Sequence, residues 1–227
     1  MSQPKTAPKF DRYARDYTAL HEESVRASGE TSDYFADYKL GCLLRLALPK
    51  NRPILDYGCG IGMLTARLAT AFDDVHAYDP SGESLSIARA ATPNATFWDD
   101  AASIPEGHFG MVVLACVLHH VPPDERVGLL SSIRAKLAPG GRLVIFEHNP
   151  WNPLTRRAVA ACPFDDDAVL LWPRELRSLL KTVGYARVRQ DYIVFFPRPL
   201  AALRPLEPLL KHVFLGAQTM TVGERSP

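Results

Sequence analysis

Apolar positions along the chain follow a helical period up to about residue 49 and alternate between strand and helix patterns beyond residue 52. Residues 10–49 read as two amphipathic helices that Gly29 separates. Further on, short apolar runs predict strands at Ile54–Tyr57, Val75–Tyr78, Thr96–Trp98, Met111–Cys116, Arg142–Phe146, Ala186–Phe195 and Gln218–Val222. The intervening segments predict helices at Met63–Ala71, Glu83–Ala91, Asp124–Leu137 and Pro173–Val183, the third of them closed by Pro139-Gly140-Gly141.

Strands and helices that alternate through short links predict an α/β fold, in which helices cover both faces of a parallel sheet. Ligands of such sheets bind beyond the carboxyl ends of the strands, where the strand order reverses. We predict one compact domain, with a disordered tail at residues 1–9 and a helical lid up to residue 49. Residues 50–227 form the sheet domain, and the long segment at about 149–172 is a lid or an inserted helix.

Glycines are densest directly after the first predicted strand. The chain reads Asp56-Tyr57-Gly58-Cys59-Gly60-Ile61-Gly62 and then continues as a helix. Such glycines let the backbone turn sharply and approach a ligand closely, and the first N–H groups of the helix favour ligand oxygens. A dinucleotide fingerprint has a third glycine where this chain has Met63, so the spacing disfavours a dinucleotide.

A carboxylate also ends the second predicted strand. Asp79 stands about 20 residues beyond the glycine loop, where a carboxylate accepts hydrogen bonds from both hydroxyls of a ribose. The alternative is a turn formed by Asp79 and Pro80, with Ser81 as the N-cap of the next helix. We favour the ribose role, because the loop and Asp79 have the correct spacing together.

Two aspartates follow the third predicted strand, in the stretch Asp99-Asp100-Ala101. A carboxylate in this place can accept a hydrogen bond from an adenine amino group, while a backbone N–H pairs with a ring nitrogen. We favour Asp100 as the adenine partner. A solvated acidic turn is the alternative for one of the two aspartates.

These stretches resemble the motifs of one enzyme family. Asp56–Gly62 resembles the first motif of class I S-adenosylmethionine-dependent methyltransferases. Asp100–Pro105 with Phe109, and the Leu-His-His-Val stretch within Cys116–Pro122, resemble the ubiquinone/menaquinone-type members, although Gly110 replaces an Asp. Phe10–Tyr17 resembles their N-terminal Phe-Asp-x-x-Ala-x-x-Tyr-Asp motif, with Thr18 in place of the last Asp.

The resemblance implies a Rossmann-like fold of seven strands, with a parallel sheet, an antiparallel last strand and an N-terminal helical lid. It also implies S-adenosylmethionine as the methyl donor. The residues expected to bind this cofactor are Asp56, Gly58, Cys59, Gly60, Gly62, Asp79, Pro80, Asp99, Asp100, Ala101 and Cys116.

Two histidines are candidate general bases, because an imidazole accepts protons near neutral pH. His119 follows the fourth predicted strand and His148 ends the fifth. A capping or packing role is the alternative for His119, and it is the role that we favour for His120. An oxygen or carbon acceptor must lose a proton and an unprotonated amine need not, so these histidines favour oxygen or carbon methylation.

Other polar and aromatic residues are candidates for binding the acceptor. Glu147 and Asn149 flank His148, although Asn149 can simply begin a loop before Pro150. Tyr13 and Tyr17 can cover the donor or contact the acceptor, or pack as aromatic core residues. Arg156 can hold an acidic group of a substrate.

The composition argues against nucleic-acid binding and membrane association. Hydrophobic residues make up 47% and charged residues 22% of the chain, and the formal net charge is +1, so no strong field attracts nucleic acid or an anionic membrane. The longest apolar run, Met111 to Leu118, is too short to span a bilayer. Four cysteines without paired spacing and a polar start predict a reduced, cytoplasmic protein.

No cluster of His or Cys has the spacing of metal ligands, so no metal site is predicted. The Asp165-Asp166-Asp167 run reads as a solvated face, like Arg156 and its neighbour. The segment from Arg198 to Lys211 reads as a short helix that forms a lid or a subunit contact, so a homodimer is one expected assembly.

A small-molecule methyltransferase is the leading prediction, with a tRNA or protein methyltransferase, or a cofactor-binding protein without transferase activity, as alternatives.

Overall fold

Seven strands form one mixed sheet in the computed structural model, which describes residues 9–226. The strands are β1 (Ile54–Tyr57), β2 (Val75–Tyr78), β3 (Thr96–Trp98), β4 (Phe109–Ala115), β5 (Leu137–His148), β6 (Tyr185–Ile193) and β7 (Gln218–Arg225). They lie in the order β3-β2-β1-β4-β5-β7-β6. The pairs among the first five strands are parallel, and β7 runs antiparallel to both β5 and β6. The predicted parallel sheet and antiparallel last strand are confirmed.

Eight α-helices connect and cover these strands within the described part of the chain. They are α1 (Tyr17–Val25), α2 (Ser32–Leu44), α3 (Met63–Leu68), α4 (Gly82–Ala91), α5 (Arg126–Lys136), α6 (Pro153–Ala161), α7 (Pro173–Thr182) and α8 (Glu207–Leu210). Gly29 separates the two N-terminal helices with a φ of 71°, as predicted. Most of the predicted tail lies outside the described residues, and Lys9 begins a short 3-10 helix.

Both faces of the sheet are buried, which explains the unbroken apolar run of β4. Met111 and Val113 face one core, which α2 and α3 complete, whereas Val112 and Leu114 face the other, which α5 and α7 complete. Successive side chains of a strand point to opposite faces, so a strand covered on both sides is apolar throughout. The same packing aligns the carboxyl ends of β1, β2, β4 and β5 at one edge.

The start of β5 differs from the prediction. The Pro139-Gly140-Gly141 stretch was expected to close a helix, but the helix ends at Lys136 and this stretch lies within β5. Phe109 pairs with Leu137 and Met111 with Arg142, so β5 carries extra residues between two pairs. A bulge of this kind bends the strand, and Gly140 allows it with a φ of 73°.

The segment after β5, for which the sequence predicts a lid or an inserted helix, contains α6. Asn152 caps α6 by accepting the backbone N–H groups of Leu154 and Thr155. A 3-10 helix, Pro163–Asp165, then turns the chain back toward the sheet. In the described part of the chain, no helix is both long and apolar enough to cross a membrane.

Candidate active site

The carboxyl ends of β1, β2, β4 and β5 open into a cavity of about 640 Å³. Eight of the residues predicted for the site line it: Tyr17, Gly58, Gly60, Asp79, Pro80, Cys116, His119 and His148. The other ten lie beneath the lining or away from it: Asp56, Cys59, Gly62, Asp99, Asp100, Ala101, Tyr13, Glu147, Asn149 and Arg156. The glycine loop, Asp79 and both histidines therefore face one space.

Two glycines of the loop allow the close approach of the backbone to this cavity. Gly58 has a φ of 81°, and a Cβ at its position would lie 2.6 Å from a methyl group of Val117. Gly60 has a φ of 53°, and a Cβ there would meet no atom within 4 Å, because it would project into open space. A side chain at Gly58 would clash with the protein, and one at Gly60 would occupy room that a ligand can use.

Asp79 is held in place by the backbone. Its Oδ2 accepts the N–H of Gly60 at 2.8 Å and its Oδ1 accepts the N–H of Ser81 at 2.9 Å. Burial raises the pKa of this carboxyl group, and the two backbone donors oppose the rise. Ser81 also caps α4 by accepting the N–H of Ser84 at 3.1 Å. Ser81 therefore caps α4, as the alternative interpretation has it, and Asp79 lines the cavity at the same time.

Asp56 lies under the loop with one oxygen unsatisfied. Its Oδ2 accepts the hydroxyl of Thr65 at 2.7 Å, whereas its buried Oδ1 has no hydrogen-bond partner among the described residues. Burial raises the pKa of Asp56 to about 6, against the opposing effect of the Thr65 bond and of the Lys39 ammonium. A buried acceptor without a partner costs about 1–3 kcal/mol, so a ligand that donates a hydrogen bond here would relieve that cost.

The two aspartates after β3 do not face the cavity. Asp100 accepts the N–H of Ala102 and the hydroxyl of Ser103, both at 3.0 Å, and so caps the 3-10 helix Ala101–Ser103. Asp99 and Asp100 are exposed. The carboxylate that the sequence assigns to adenine caps its own turn, because its short side chain reaches the neighbouring backbone. The adenine assignment stays a prediction.

His119 is buried between two carboxylates. Its Nδ1 lies 2.7 Å from Oε2 of Glu147, and its Nε2 lies 3.6 Å from Oδ1 of Asp165. Oε1 of Glu147 accepts the N–H of Leu118 at 2.8 Å, which fixes the carboxylate. Burial lowers the pKa of His119, but the two carboxylates outweigh this effect and raise it to about 10. His119 is therefore an imidazolium near neutral pH when no other cation is bound.

His148 has the opposite character. Its ring centroid lies 5.0 Å from that of His119. Burial lowers the pKa of His148, and the charge of His119 adds to this effect, so the value falls to about 4. Of the two predicted bases, His148 lines the cavity as a neutral imidazole.

An aromatic lid covers the cavity from two sides. Tyr17 of α1 stacks on Phe164 of the insert, with ring centroids 4.9 Å apart and planes 13° apart. Phe10 meets the ring of His120 edge-on at 5.0 Å. Tyr13 lies outside the lining and donates its hydroxyl to the carbonyl of Pro163 at 3.1 Å. The N-terminal segment and the insert therefore close over the same space.

Asn149 and Arg156 lie apart from the cavity. The amide of Asn149 is fully buried and donates to the carbonyl oxygens of Phe214 and Gly216, both at 2.7 Å. It anchors the chain before β7, whereas the sequence places it at the acceptor. Arg156 is exposed on α6.

Asp165, Lys39 and Phe164 are among the lining residues that sequence reasoning missed. Asp165 was expected on a solvated face, but its side chain is only 6% exposed and lies between His119 and His120. Only its two neighbours in the acidic run are exposed. Lys39 and Phe164 had no signal beyond amphipathic spacing, since their place depends on how α2 and the insert fold back over the sheet.

Comparison with known proteins identifies the family. Residues 33–201 match the family model described as methyltransferase domain. The chain belongs to the methyltransferase domain family. Its methyl donor is S-adenosylmethionine, as the sequence motifs imply, and the open Gly60 and the unsatisfied Asp56 oxygen fit a ligand of this kind. The match is broader than the ubiquinone/menaquinone-type group that the motifs resemble.

Two relatives and one solved structure illustrate the methyltransferase's similarities. An uncharacterised methyltransferase of Synechocystis is 31% identical over 158 residues, which cover 65% of this chain and 73% of that protein. Trans-aconitate 2-methyltransferase of Methylobacterium radiotolerans is 34% identical over 152 residues, or 64% of this chain and 54% of that protein. Phosphoethanolamine N-methyltransferase 2 of Haemonchus contortus, solved with phosphomonomethylethanolamine and S-adenosylhomocysteine, matches with a TM-score of 0.68 at 17% identity, over 99% of this chain and 62% of that one. This last likeness concerns the fold alone.

Proposed function

We propose that this methyltransferase methylates a small-molecule acceptor inside the covered cavity. The volume of about 640 Å³ lies within the usual range for small ligands, about 300–1,000 Å³. Phe10, Tyr17 and Phe164 cover the space, so an acceptor has to fit beneath them. This enclosure is the observation that carries the proposal. It favours a small molecule, which fits the cavity whole, over tRNA or folded protein, which could present only a single base or side chain to it.

The residues around the glycine loop would hold the donor. Asp79 retains lone pairs for the ribose hydroxyls, and the loop backbone at Gly60 is open to the ligand. The unsatisfied oxygen of Asp56 suits the donor's ammonium group, directly or through water. Lys39 lines the same side of the cavity and suits the donor's carboxylate. Together these groups match the opposite charges of an amino acid.

The protein contributes orientation and the exclusion of water. S-adenosylmethionine, when bound, supplies a methyl group that its sulfonium already activates. The loop and Asp79 fix the donor side, while Tyr17 and Phe164 confine the acceptor side. Holding two reactants in line can contribute about 7–11 kcal/mol to a rate enhancement. The aromatic lid keeps water from competing for the same space.

His148 is the group we assign to proton removal. It lines the cavity at the end of β5, whereas both ring nitrogens of His119 face carboxylates. Glu147 positions His119 and does not reach the cavity lining itself. His119 then acts as a fixed polar wall beside the acceptor. An imidazole placed to take a proton favours an oxygen or carbon acceptor.

The relatives point to two classes of acceptor. One relative is named trans-aconitate 2-methyltransferase, which supports a small organic acid as the acceptor. The structural neighbour is named as an N-methyltransferase, so an amine is the competing class. The ubiquinone/menaquinone-type resemblance of the Leu-His-His-Val stretch supports a small acceptor in either case. We keep oxygen or carbon as the proposed atom because of His148.

Two further expectations concern the setting of the enzyme. All four cysteines are free, which supports the predicted reducing, cytoplasmic location. The homodimer expected from the Arg198–Lys211 segment remains a prediction. Leucines of this segment, Leu200, Leu203, Leu206 and Leu209, are exposed, and light scattering of the purified protein would test whether they bind a second copy.

A turnover assay tests the proposed function. The purified protein is incubated with S-adenosylmethionine labelled in its methyl group and with panels of small hydroxy acids, enols, carboxylates and amines. We expect label transfer to at least one oxygen or carbon acceptor, and a loss of about 10²-fold or more in kcat in His148→Gln. His212→Gln, an exposed histidine outside the cavity, is the control. Transfer only to RNA or protein would contradict the proposal.

A further inference from the structure

Two histidines and one carboxylate converge on a single point in the cavity. His120 Nε2 lies 3.3 Å and His119 Nε2 lies 3.6 Å from Oδ1 of Asp165. One ligand atom from each of the three residues lies within 4.8 Å of the other two. Ligands bound to one ion at about 2.1 Å stand about 3–3.5 Å apart. His120 already has this spacing from Asp165, and His119 lies just outside it.

The surroundings orient both imidazoles toward that point. The other nitrogen of His119 lies 2.7 Å from Glu147, and the other nitrogen of His120 lies 3.5 Å from Asp167. A histidine that binds a metal usually donates its second N–H to a carboxylate, which fixes the tautomer and the ring. Here each histidine has one nitrogen toward Asp165 and the other toward a second carboxylate.

Charge and access fit an ion as well. Asp165 and Glu147 are two carboxylates in a site where little water reaches, with side chains 6% and 2% exposed. These two buried negative charges match one divalent cation, since the third carboxylate near the histidines, Asp167, is exposed and pairs with Lys9. His119, His120 and Asp165 all line the cavity, so coordination positions not taken by the protein would face the acceptor.

A second His/Asp cluster in the described residues lacks these features. His76 accepts the indole N–H of Trp98 at 3.1 Å and pairs with Asp74 at 3.0 Å, so both of its nitrogens are engaged. The third member, His108, is exposed and lies outside the cavity. This cluster is an ordinary packing arrangement and provides a matched control.

We propose that His119, His120 and Asp165 bind one divalent transition-metal ion and leave coordination positions open toward the acceptor. Two imidazoles and one carboxylate suit Zn²⁺, Fe²⁺ or Co²⁺, whereas Mg²⁺ and Ca²⁺ prefer oxygen ligands. Glu147 positions His119 for this role. The ion's part in catalysis rests on the proposed function, but its binding does not.

The ion would act as a Lewis acid on an acceptor oxygen. When bound, the ion would polarise an acceptor hydroxyl, and His148 would take the proton of that hydroxyl and pass it to solvent. The oxygen then forms a bond to the methyl carbon while the bond between that carbon and sulfur breaks. The electron pair of the broken bond remains on sulfur, which leaves as a neutral thioether. The oxidation state of the ion does not change.

Metal titration of the whole, untagged protein tests the inference. The protein is stripped with a chelator and titrated separately with Zn²⁺ and Co²⁺, by calorimetry and by the visible absorption of bound Co²⁺. We expect one ion per chain. Asp165→Asn and His120→Ala should each weaken binding by about 100-fold or more, and Glu147→Gln by about 10–100-fold. His108→Ala should leave the affinity unchanged.

Binding of S-adenosylhomocysteine, measured in parallel, separates this inference from the proposed function and shows that each variant is folded. Wild-type protein that binds S-adenosylhomocysteine but takes up no Zn²⁺ or Co²⁺ would overturn the metal site and leave the proposed function intact. If Asp165→Asn and His120→Ala both left the metal affinity unchanged, the metal site would also be overturned. One bound ion that is lost in both variants would support the site even if no methyl transfer were found.

Discussion

Gly60 donates its backbone N–H to Oδ2 of Asp79 at 2.8 Å, which joins the loop after β1 to the carboxylate after β2. The contact sets the loop before any ligand binds, because the same carboxylate is held from its other side by the N–H of Ser81. Two chain segments that are distant in sequence therefore form one rigid wall of the cavity.

Replacing Gly60 with alanine should impair ligand binding more than folding. An alanine at a positive φ costs about 1–2 kcal/mol, and here its methyl group would enter the cavity. We expect S-adenosylhomocysteine affinity to fall about tenfold or more in calorimetry. Gly107→Ala is the matched control, since Gly107 also has a positive φ and open space but lies outside the cavity. Equal losses of S-adenosylhomocysteine affinity in the two variants would show that the methyl group in the cavity is not the cause.

Replacing Asp56 with asparagine should stabilise the free protein and weaken donor binding. Burial raises the pKa of Asp56 to about 6, so keeping it ionised above that pH costs folding free energy. We expect the free energy of unfolding at pH 7.5 to rise by about 1–3 kcal/mol in denaturant titrations. S-adenosylhomocysteine affinity should fall in the same variant. A destabilised variant with normal affinity would contradict this role for the free oxygen.

The pH dependence of donor binding should also reflect Asp56. Its folded pKa lies above the ordinary value of 3.8, so the carboxylate that would meet an ammonium group is lost as pH falls through about 6. Calorimetry between pH 5 and 8 should show S-adenosylhomocysteine affinity decreasing below about pH 6. Asp56→Asn should flatten that decrease. An unchanged pH profile in the variant would assign the dependence to another group.

Replacing Asp100 with asparagine tests the adenine assignment made from sequence. The structure gives this carboxylate a capping role outside the cavity lining. Because asparagine can cap the same turn, we expect S-adenosylhomocysteine affinity to change less than about twofold. A tenfold loss in Asp100→Asn, with stability unchanged, would support the adenine role.

The lid should control acceptor binding more than donor binding. Phe164→Leu removes the ring that stacks on Tyr17, an interaction worth about 0.5–1.5 kcal/mol. We expect the acceptor KM to rise about two- to tenfold, with a smaller change in S-adenosylhomocysteine affinity. Phe214→Leu, at an exposed ring outside the cavity, serves as the control. If Phe164→Leu changed S-adenosylhomocysteine affinity more than the acceptor KM, the lid would act on donor binding instead.

Local chemistry made much of the fold predictable. Three short strands, Ile54–Tyr57, Val75–Tyr78 and Thr96–Trp98, have the predicted bounds, because apolar runs between turn residues define them. The start of β5 did not follow from Pro139-Gly140-Gly141, since this stretch also suits a bulge. Whether it ends a helix or bends a strand depends on pairing with Phe109, which is a tertiary contact.

The candidate site, like the fold, was only partly predictable from the sequence. The positions of Gly60 and Asp79 follow from the order of strands in a parallel sheet, and both line the cavity. Asp165 was missed because a run of three aspartates reads as solvated, whereas the fold buries one of them against His119. The backbone contacts of Asn149 did not follow from the sequence, because a polar residue at a strand end looks the same whether it meets a ligand or a backbone carbonyl.

Calorimetric titration with S-adenosylhomocysteine, comparing wild-type protein with Asp79→Ala, tests whether this cavity binds the methyl donor. We expect micromolar binding that weakens at least about tenfold in the variant, because a carboxylate at a hydrogen-bonded ribose contributes more than about 1.4 kcal/mol. Asp99→Ala, at an exposed carboxylate outside the cavity, should bind like the wild type. Equal affinity in all three proteins, or no binding by folded wild-type protein, would contradict the assignment of this cavity to the methyl donor.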